Sequence, residues 1–155
     1  MNQTDLKSMN ETELSELAVS LGQPAFRGKQ LFGWLQGTSN YSLDDMHTLP
    51  KALREQLDGA YILPSAQCIE RRESVDGSAI KYLCSFPDGT IIETVAMRYK
   101  YGYSACLSTQ AGCRMGCRFC VSAQGGLLRD LTAGEMISQL QIVGEDLAQI
   151  DARPA

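Results

Sequence analysis

A chain of 155 residues, 44% hydrophobic and with a net charge of −4, has room for one domain of common size, or for a small domain and part of another. An acidic balance excludes binding of nucleic acid by net charge alone. No stretch reaches the ~20 apolar residues of a membrane helix, and the start has no basic segment before an apolar block. No membrane partner and a cytoplasmic location are therefore expected.

The first third reads as helices. Asn10 is an N-cap with Glu13 at the capping-box position, and Leu14, Leu17, Ala18 and Leu21 follow at helical spacing. Gly22 and Pro24 end that helix. A second helix is predicted over 27–36, burying Leu31, Phe32 and Leu35, with Phe32 and Trp34 as core residues. Ser42 suits the cap of a short third helix, and Pro50 the first turn of a fourth that turns Leu53 and Leu57 inward.

After Asp58 the pattern changes. Residues 69–74 and 78–86 read as strands joined by a turn at Asp76-Gly77. Pro87-Asp88-Gly89 is a second turn, and 91–97 is a third, β-branched strand. Glu93 stands alone among apolar neighbours there. Alternation puts it on the face of Ile91 and Val95. It is either a partly buried carboxylate of raised pKa, suited to general base catalysis, or a solvent-facing residue.

Residues 103–109 predict another strand, followed by a cysteine-rich loop, Gln124-Gly125-Gly126, and a helix capped by Thr132 with Glu135, its apolar face Met136, Leu140 and Val143. That order is one β/α unit, the start of an α/β barrel with its site at the strand's C-terminal end. The class is thus α/β. A helical domain spans 1–58, an antiparallel segment 59–98, and the start of a barrel domain 99–155. One unit cannot close a barrel, so the sequence reads as the N-terminal portion of a longer protein.

Six cysteines without an export signal point to metal ligands or catalytic groups rather than disulfides. Cys68 and Cys84 stand apart and read as small buried hydrophobes. Cys113, Cys117 and Cys120 form a tight cluster. Thiolates are soft ligands for iron–sulfur clusters and zinc. Structural zinc wants four ligands, and the one histidine, His47, lies far upstream. Three thiolates leave one iron of a 4Fe–4S cluster open. Zinc with Cys106 as the fourth ligand stays an alternative. From Met97 to Arg129 there is no acidic residue, whereas Arg98, Lys100, Arg114, Arg118 and Arg129 all fall there, so an anionic ligand or RNA is expected near the cluster.

The spacing Cys113-x3-Cys117-x2-Cys120, with Phe119 before the last cysteine, resembles the radical S-adenosylmethionine (radical SAM) motif. The wider stretches 106–113 and 129–135, Phe26-Arg-Gly-Lys-Gln-Leu31, Leu49-Pro-Lys-Ala-Leu-Arg54 and Gly89-Thr-Ile-Ile-Glu-Thr-Val95 resemble the RlmN/Cfr family of radical SAM RNA methyltransferases, from about residue 10 to 147. The resemblance implies a radical SAM (β/α) barrel, here incomplete, a 4Fe–4S cluster on Cys113, Cys117 and Cys120, and S-adenosyl-L-methionine, with Phe119 against its adenine. It implies methyl transfer to carbon 2 of an adenine in 23S ribosomal RNA, with transfer RNA as a further substrate; carbon 8 is the other branch of the family. Glu93 matches the family's proton acceptor, and Cys106 the cysteine that resolves a protein–RNA crosslink through a transient disulfide. For Cys106 a buried strand residue, and for Phe119 a core residue, are the competing readings. The helical domain would contact RNA, an electron donor would reduce the cluster, and the complete protein would be a monomer. The cysteine that carries the methyl would lie in a C-terminal part absent from this sequence, so activity of these 155 residues alone is not expected. Two other readings stay open: another radical SAM enzyme, and a non-enzymatic zinc- or RNA-binding remnant.

Overall fold

The structure, a computed structural model, describes residues 4–37 and 42–151. Helix α1 (Glu11–Ser20) starts at the predicted cap. The Asn10 side chain accepts from the Glu13 N–H at 3.0 Å, and the Glu13 carboxylate accepts from the Asn10 N–H at 2.7 Å. Two amides that the helix leaves without partners are thereby satisfied. Helix α2 (Phe26–Leu35) packs on α1 so closely that a β-carbon on Gly28 would lie 2.3 Å from the Ser15 backbone. Ser42 caps only a single 3-10 turn, Leu43–Asp45, and Pro50 precedes α3 (Lys51–Asp58). Leu14, Leu31, Leu35, Leu53 and Leu57 close on Leu6, Met46 and Leu49 as one core. Phe32 and Trp34 flank that core half-buried, and the Trp34 indole donates to Thr48 Oγ1 at 2.7 Å.

Strand β1 (Thr4–Asp5) pairs in parallel with β2 (Tyr61–Ile62), which ties the start of the helical part to its end. An antiparallel sheet follows, β3 (Gln67–Glu73), β4 (Ala79–Ser85), β5 (Ile91–Tyr99) and β6 (Gly102–Cys106), in that spatial order. Strand alternation gives it two unlike faces. Ile80, Tyr82, Cys84, Ile92, Thr94 and Ala96 are buried beneath α4 (Ala133–Asp151), with Val143, Met136, Ile142 and Leu147 of the helix against them. The opposite face carries Lys81, Glu93, Val95 and Met97 and is open. Cys84 is fully buried, as expected, and burial pushes its thiol up to about 11. Cys68 is not buried: β3 is an edge strand exposed along its length.

Two expectations change. The strand before the cysteine loop ends at Cys106 rather than Thr109, and it pairs antiparallel with β5, so a division between residues 98 and 99 falls inside the β5–β6 hairpin. Strand, loop and helix do follow in order, but among the described residues the one parallel pairing is β1–β2, and no barrel pairing forms. Second, Leu140 is 50% exposed, while Ser138, Gln139 and Gln141 are buried. The reason is that α4 lies between the two cores and meets backbone groups there. Gln141 Nε2 donates to the Leu35 and Gly37 carbonyls, both at 3.0 Å. Lys7 Nζ donates to Gln141 Oε1 at 2.8 Å and to Ser138 Oγ at 3.2 Å. Buried polar groups persist where partners meet them, and these do.

Candidate functional site

The cysteine loop is held at its neck. Strands β7 (Gln110–Gly112) and β8 (Leu127–Asp130) form an antiparallel ladder on either side of it, and the Cys113 N–H donates to the Gly126 carbonyl at 2.9 Å. Gly112 has φ 72°, and a β-carbon there would sit 2.0 Å from the Gly126 oxygen. Only glycine lets the two arms meet. Inside the loop Gly116 turns the chain with φ 65°, and the Cys120 N–H donates to the Cys117 carbonyl at 3.0 Å. Cys113 and Cys120 are half-buried and Cys117 is exposed. Phe119 is 92% exposed, so its reading as a core residue does not hold; Met115 and Val121 also face outward.

Glu93 is exposed, not partly buried. It stands on the open face of a central strand, and its Oε1 accepts from Lys81 Nζ at 2.9 Å. Cys106 lies opposite Val95 in the β5–β6 register, on the same open face and two residues along from Glu93. It is exposed, so the buried-strand reading fails for it as well. A cavity of about 450 Å³ lies between this face and the loop, lined by Lys81, Leu83, Glu93, Ser108, Gly112 and Val121 among others. The structure thus brings Glu93 to the base of the cysteine loop and leaves Cys106 beside it. All six cysteines are free thiols.

Three supports were missed in the sequence. Gln139 of α4 accepts from Thr94 Oγ1 at 2.7 Å and from the Ser108 N–H at 2.9 Å, and donates to the Ser108 carbonyl at 2.9 Å. Ser108 Oγ donates to the Glu93 carbonyl at 2.6 Å. Together they bolt the β6–β7 link under the site. Arg129, read as part of a basic segment facing a ligand, is instead structural. Its guanidinium donates to both Glu135 oxygens at 2.8 and 2.7 Å and to Asp88 at 2.8 Å, clamping β8 to the start of α4. A glutamine or an arginine so placed has no local sequence signature, because its partners are 6 to 45 residues away. Lys81 was equally silent, since its partner is on the next strand.

Among the described residues no three histidine, cysteine or carboxylate side chains are gathered as a metal-holding group. The donor set nonetheless fits an iron–sulfur cluster. Three free thiols fall within eight residues, and Met115, Phe119 and Val121 of the same loop are exposed. Soft thiolates are ligands that both an iron–sulfur cluster and zinc take, and three of them with one position open are what a 4Fe–4S cluster with one free iron requires.

The architecture is similar to part of a solved radical SAM methyltransferase. A crystal structure of such an enzyme from Sphaerobacter thermophilus matches with a TM-score of 0.80 and 35% identity, over 97% of this chain and 44% of that one. Residues 4–63 match the family described as "Ribosomal RNA large subunit methyltransferase N-terminal domain", RlmN_N. Proteins named "Probable dual-specificity RNA methyltransferase RlmN" are similar over nearly the whole chain. The one from Clostridium acetobutylicum is 41% identical over 145 residues, 91% of this chain and 42% of the relative. The one from Staphylococcus haemolyticus is 44% identical over 146 residues, 94% of this chain and 40% of the relative. The resemblance to the RlmN/Cfr family therefore holds, and the chain spans about two-fifths of the length of the curated relatives it matches. No helix among the described residues is long and apolar enough to cross a membrane.

Proposed function

We propose that this chain is the N-terminal part of a radical SAM RNA methyltransferase, which transfers a methyl group from S-adenosyl-L-methionine to carbon 2 of an adenine in 23S ribosomal RNA, with transfer RNA as a second substrate. The observation that carries this reading is the shared cavity. A carboxylate, Glu93, lines one space of about 450 Å³ with Gly112 at the start of the three-thiol loop and Val121 just after its last cysteine, and Cys106 is on the same sheet face.

Cys113, Cys117 and Cys120 would hold the 4Fe–4S cluster, and that group, once bound and reduced by an electron donor, would supply the electron for cleavage of the sulfonium of S-adenosyl-L-methionine. Phe119, on the outer side of the loop, offers an open ring face to the adenine of that cofactor. Glu93 accepts the proton that the adenine ring gives up, with its carboxylate charge supported by Lys81. Cys106, exposed beside it, is the thiol that resolves the protein–RNA crosslink: its sulfur bonds to the sulfur of the methyl-carrying cysteine as that sulfur's bond to the transferred carbon breaks, the electron pair leaving with the carbon, so that the disulfide is transient. The chain spans about two-fifths of its curated relatives, and on this reading these 155 residues do not complete the transfer by themselves.

The test is anaerobic reconstitution with iron and sulfide, followed by metal and sulfide analysis and a visible spectrum. One 4Fe–4S cluster per chain is expected, and Cys117→Ala abolishes its absorbance. A full complement of iron and sulfide in Cys117→Ala overturns the ligand assignment. Zinc bound without sulfide would favour the remnant reading instead.

A further inference from the structure

The open face of the sheet does not end at Glu93 and Cys106. It continues along β5 through Val95 and Met97 to Tyr99, about 20 Å away at strand spacing. There the β5–β6 hairpin turns through Lys100 and Tyr101. Tyr99 and Tyr101 stack with ring centroids 5.1 Å apart and planes 3° apart. The Tyr99 hydroxyl reaches Met97 Sδ at 3.7 Å, which places the stack on the same face as Glu93. Tyr101 is 80% exposed, so its outer ring face is in water.

Two aromatic rings at a hairpin tip gain little from burial there, so their stacking leaves a large apolar surface unpartnered. The hairpin is also cationic. Arg71, Arg72, Lys81 and Arg129 are all engaged with carboxylates. Lys100, next to Tyr99 in the turn, is instead exposed at the tip, whereas Arg98 alternates to the other face of β5. No acidic residue lies between Met97 and Arg129. Stacked aromatic faces flanked by positive charge bind single-stranded nucleic acid: bases extend the stack, and phosphates meet the cations. Duplex RNA offers no free base face to such a platform.

We propose that the Tyr99–Tyr101 stack, with Lys100 beside it, is a platform for unpaired nucleotides of the RNA substrate, on the same sheet face as Glu93 and at its far end. That the nucleic acid is RNA rests on the methyltransferase reading; the platform itself rests on the hairpin. It would hold nucleotides flanking the target adenine, so that the strand lies along the open face of the sheet.

The experiment measures binding of the 155-residue chain to a fluorescein-labelled 12-nucleotide oligouridylate and to an RNA duplex of equal length, by fluorescence anisotropy over a salt series. Tyr101→Ala is expected to weaken single-strand binding about tenfold, the loss of one base–aromatic stack, while Tyr101→Trp retains it. Because the ring is mostly exposed, neither change disturbs the core. Lys100→Gln should flatten the slope of log K against log salt by about 0.7, one phosphate contact on a single strand. Equal affinity for duplex and single strand, Tyr101→Ala within twofold of the parent, or no binding by the parent chain would each overturn the platform. The cluster reading is separable, because iron and sulfide content does not depend on Tyr101.

Discussion

Lys7 is 1% exposed and is held by Ser138 Oγ and Gln141 Oε1 between the helical part and α4. Burial lowers its pKa from 10.5 to about 8, against the opposing pull of Asp5 and Glu145. The folded state thus disfavours the ammonium form. Below pH 8 both folded and unfolded chains carry the charge, and the fold bears the full cost of burying it. Between pH 8 and 10.5 the unfolded chain binds more protons, so stability rises with pH in that window. Relative to Lys7→Met, the parent should therefore gain in urea midpoint from pH 8 to 10. Tyrosines and cysteines that titrate there are common to both proteins and drop out of the difference. A constant difference across the window would show that the amine is not desolvated.

At the scale of elements, close approach matters most where backbone meets backbone. Gly28 of α2 lies against Ser15 of α1, and a methyl group there would stand 2.3 Å from main-chain atoms that cannot rotate away. Gly28→Ala should cost about 1–3 kcal/mol, the usual penalty of overpacking, read from urea unfolding followed by helical circular dichroism. Gly33 of the same helix has no neighbour within 4 Å, so Gly33→Ala should instead stabilise by up to about 1 kcal/mol through helix propensity alone. Equal effects at the two sites would mean that α1 and α2 do not pack this closely. The same logic explains the loop neck, where Gly112 admits the Gly126 carbonyl and so sets the positions from which Cys113 and Cys120 start.

For the whole molecule, the governing feature is two hydrophobic cores with a polar seam between them. Gln141 and Ser138 of α4 join the helical core to the sheet core through Lys7, Leu35 and Gly37, and Asp5 accepts from Thr132 at 2.8 Å across the same seam. The cavity beside the cysteine loop is open to solvent on the free face of the sheet. On the proposed function, radical chemistry needs an enclosed, dry site and a cofactor held from more than one side. The reconstituted 155-residue chain should therefore hold its cluster yet form no 2-methyladenosine. The check is an anaerobic assay with reductant, labelled S-adenosyl-L-methionine and protein-free ribosomal RNA. Product above the no-enzyme control would show that these residues complete the site unaided.

The sequence by itself determined what depends on near neighbours. The Asn10–Glu13 capping box, the leucine stripes of α1 and α3, the turns at Asp76-Gly77 and Pro87-Asp88-Gly89, and the three-thiol loop are all legible because each rests on residues within a few positions of one another. Tertiary structure alone decided which face of β5 meets α4. Alternation separates Glu93 from Thr94 but does not say which of them is covered, and the answer, Thr94, comes from Gln139 reaching across 45 residues. It also turned Leu140 outward and buried Gln141, because a helix between two cores is sorted by the hydrogen-bond partners it meets as well as by hydrophobicity. Pairing partners distant in the chain leave no periodic trace along it, and so the antiparallel seat of β6, the Lys81–Glu93 pair and the Arg129 clamp appear only once the chain is folded.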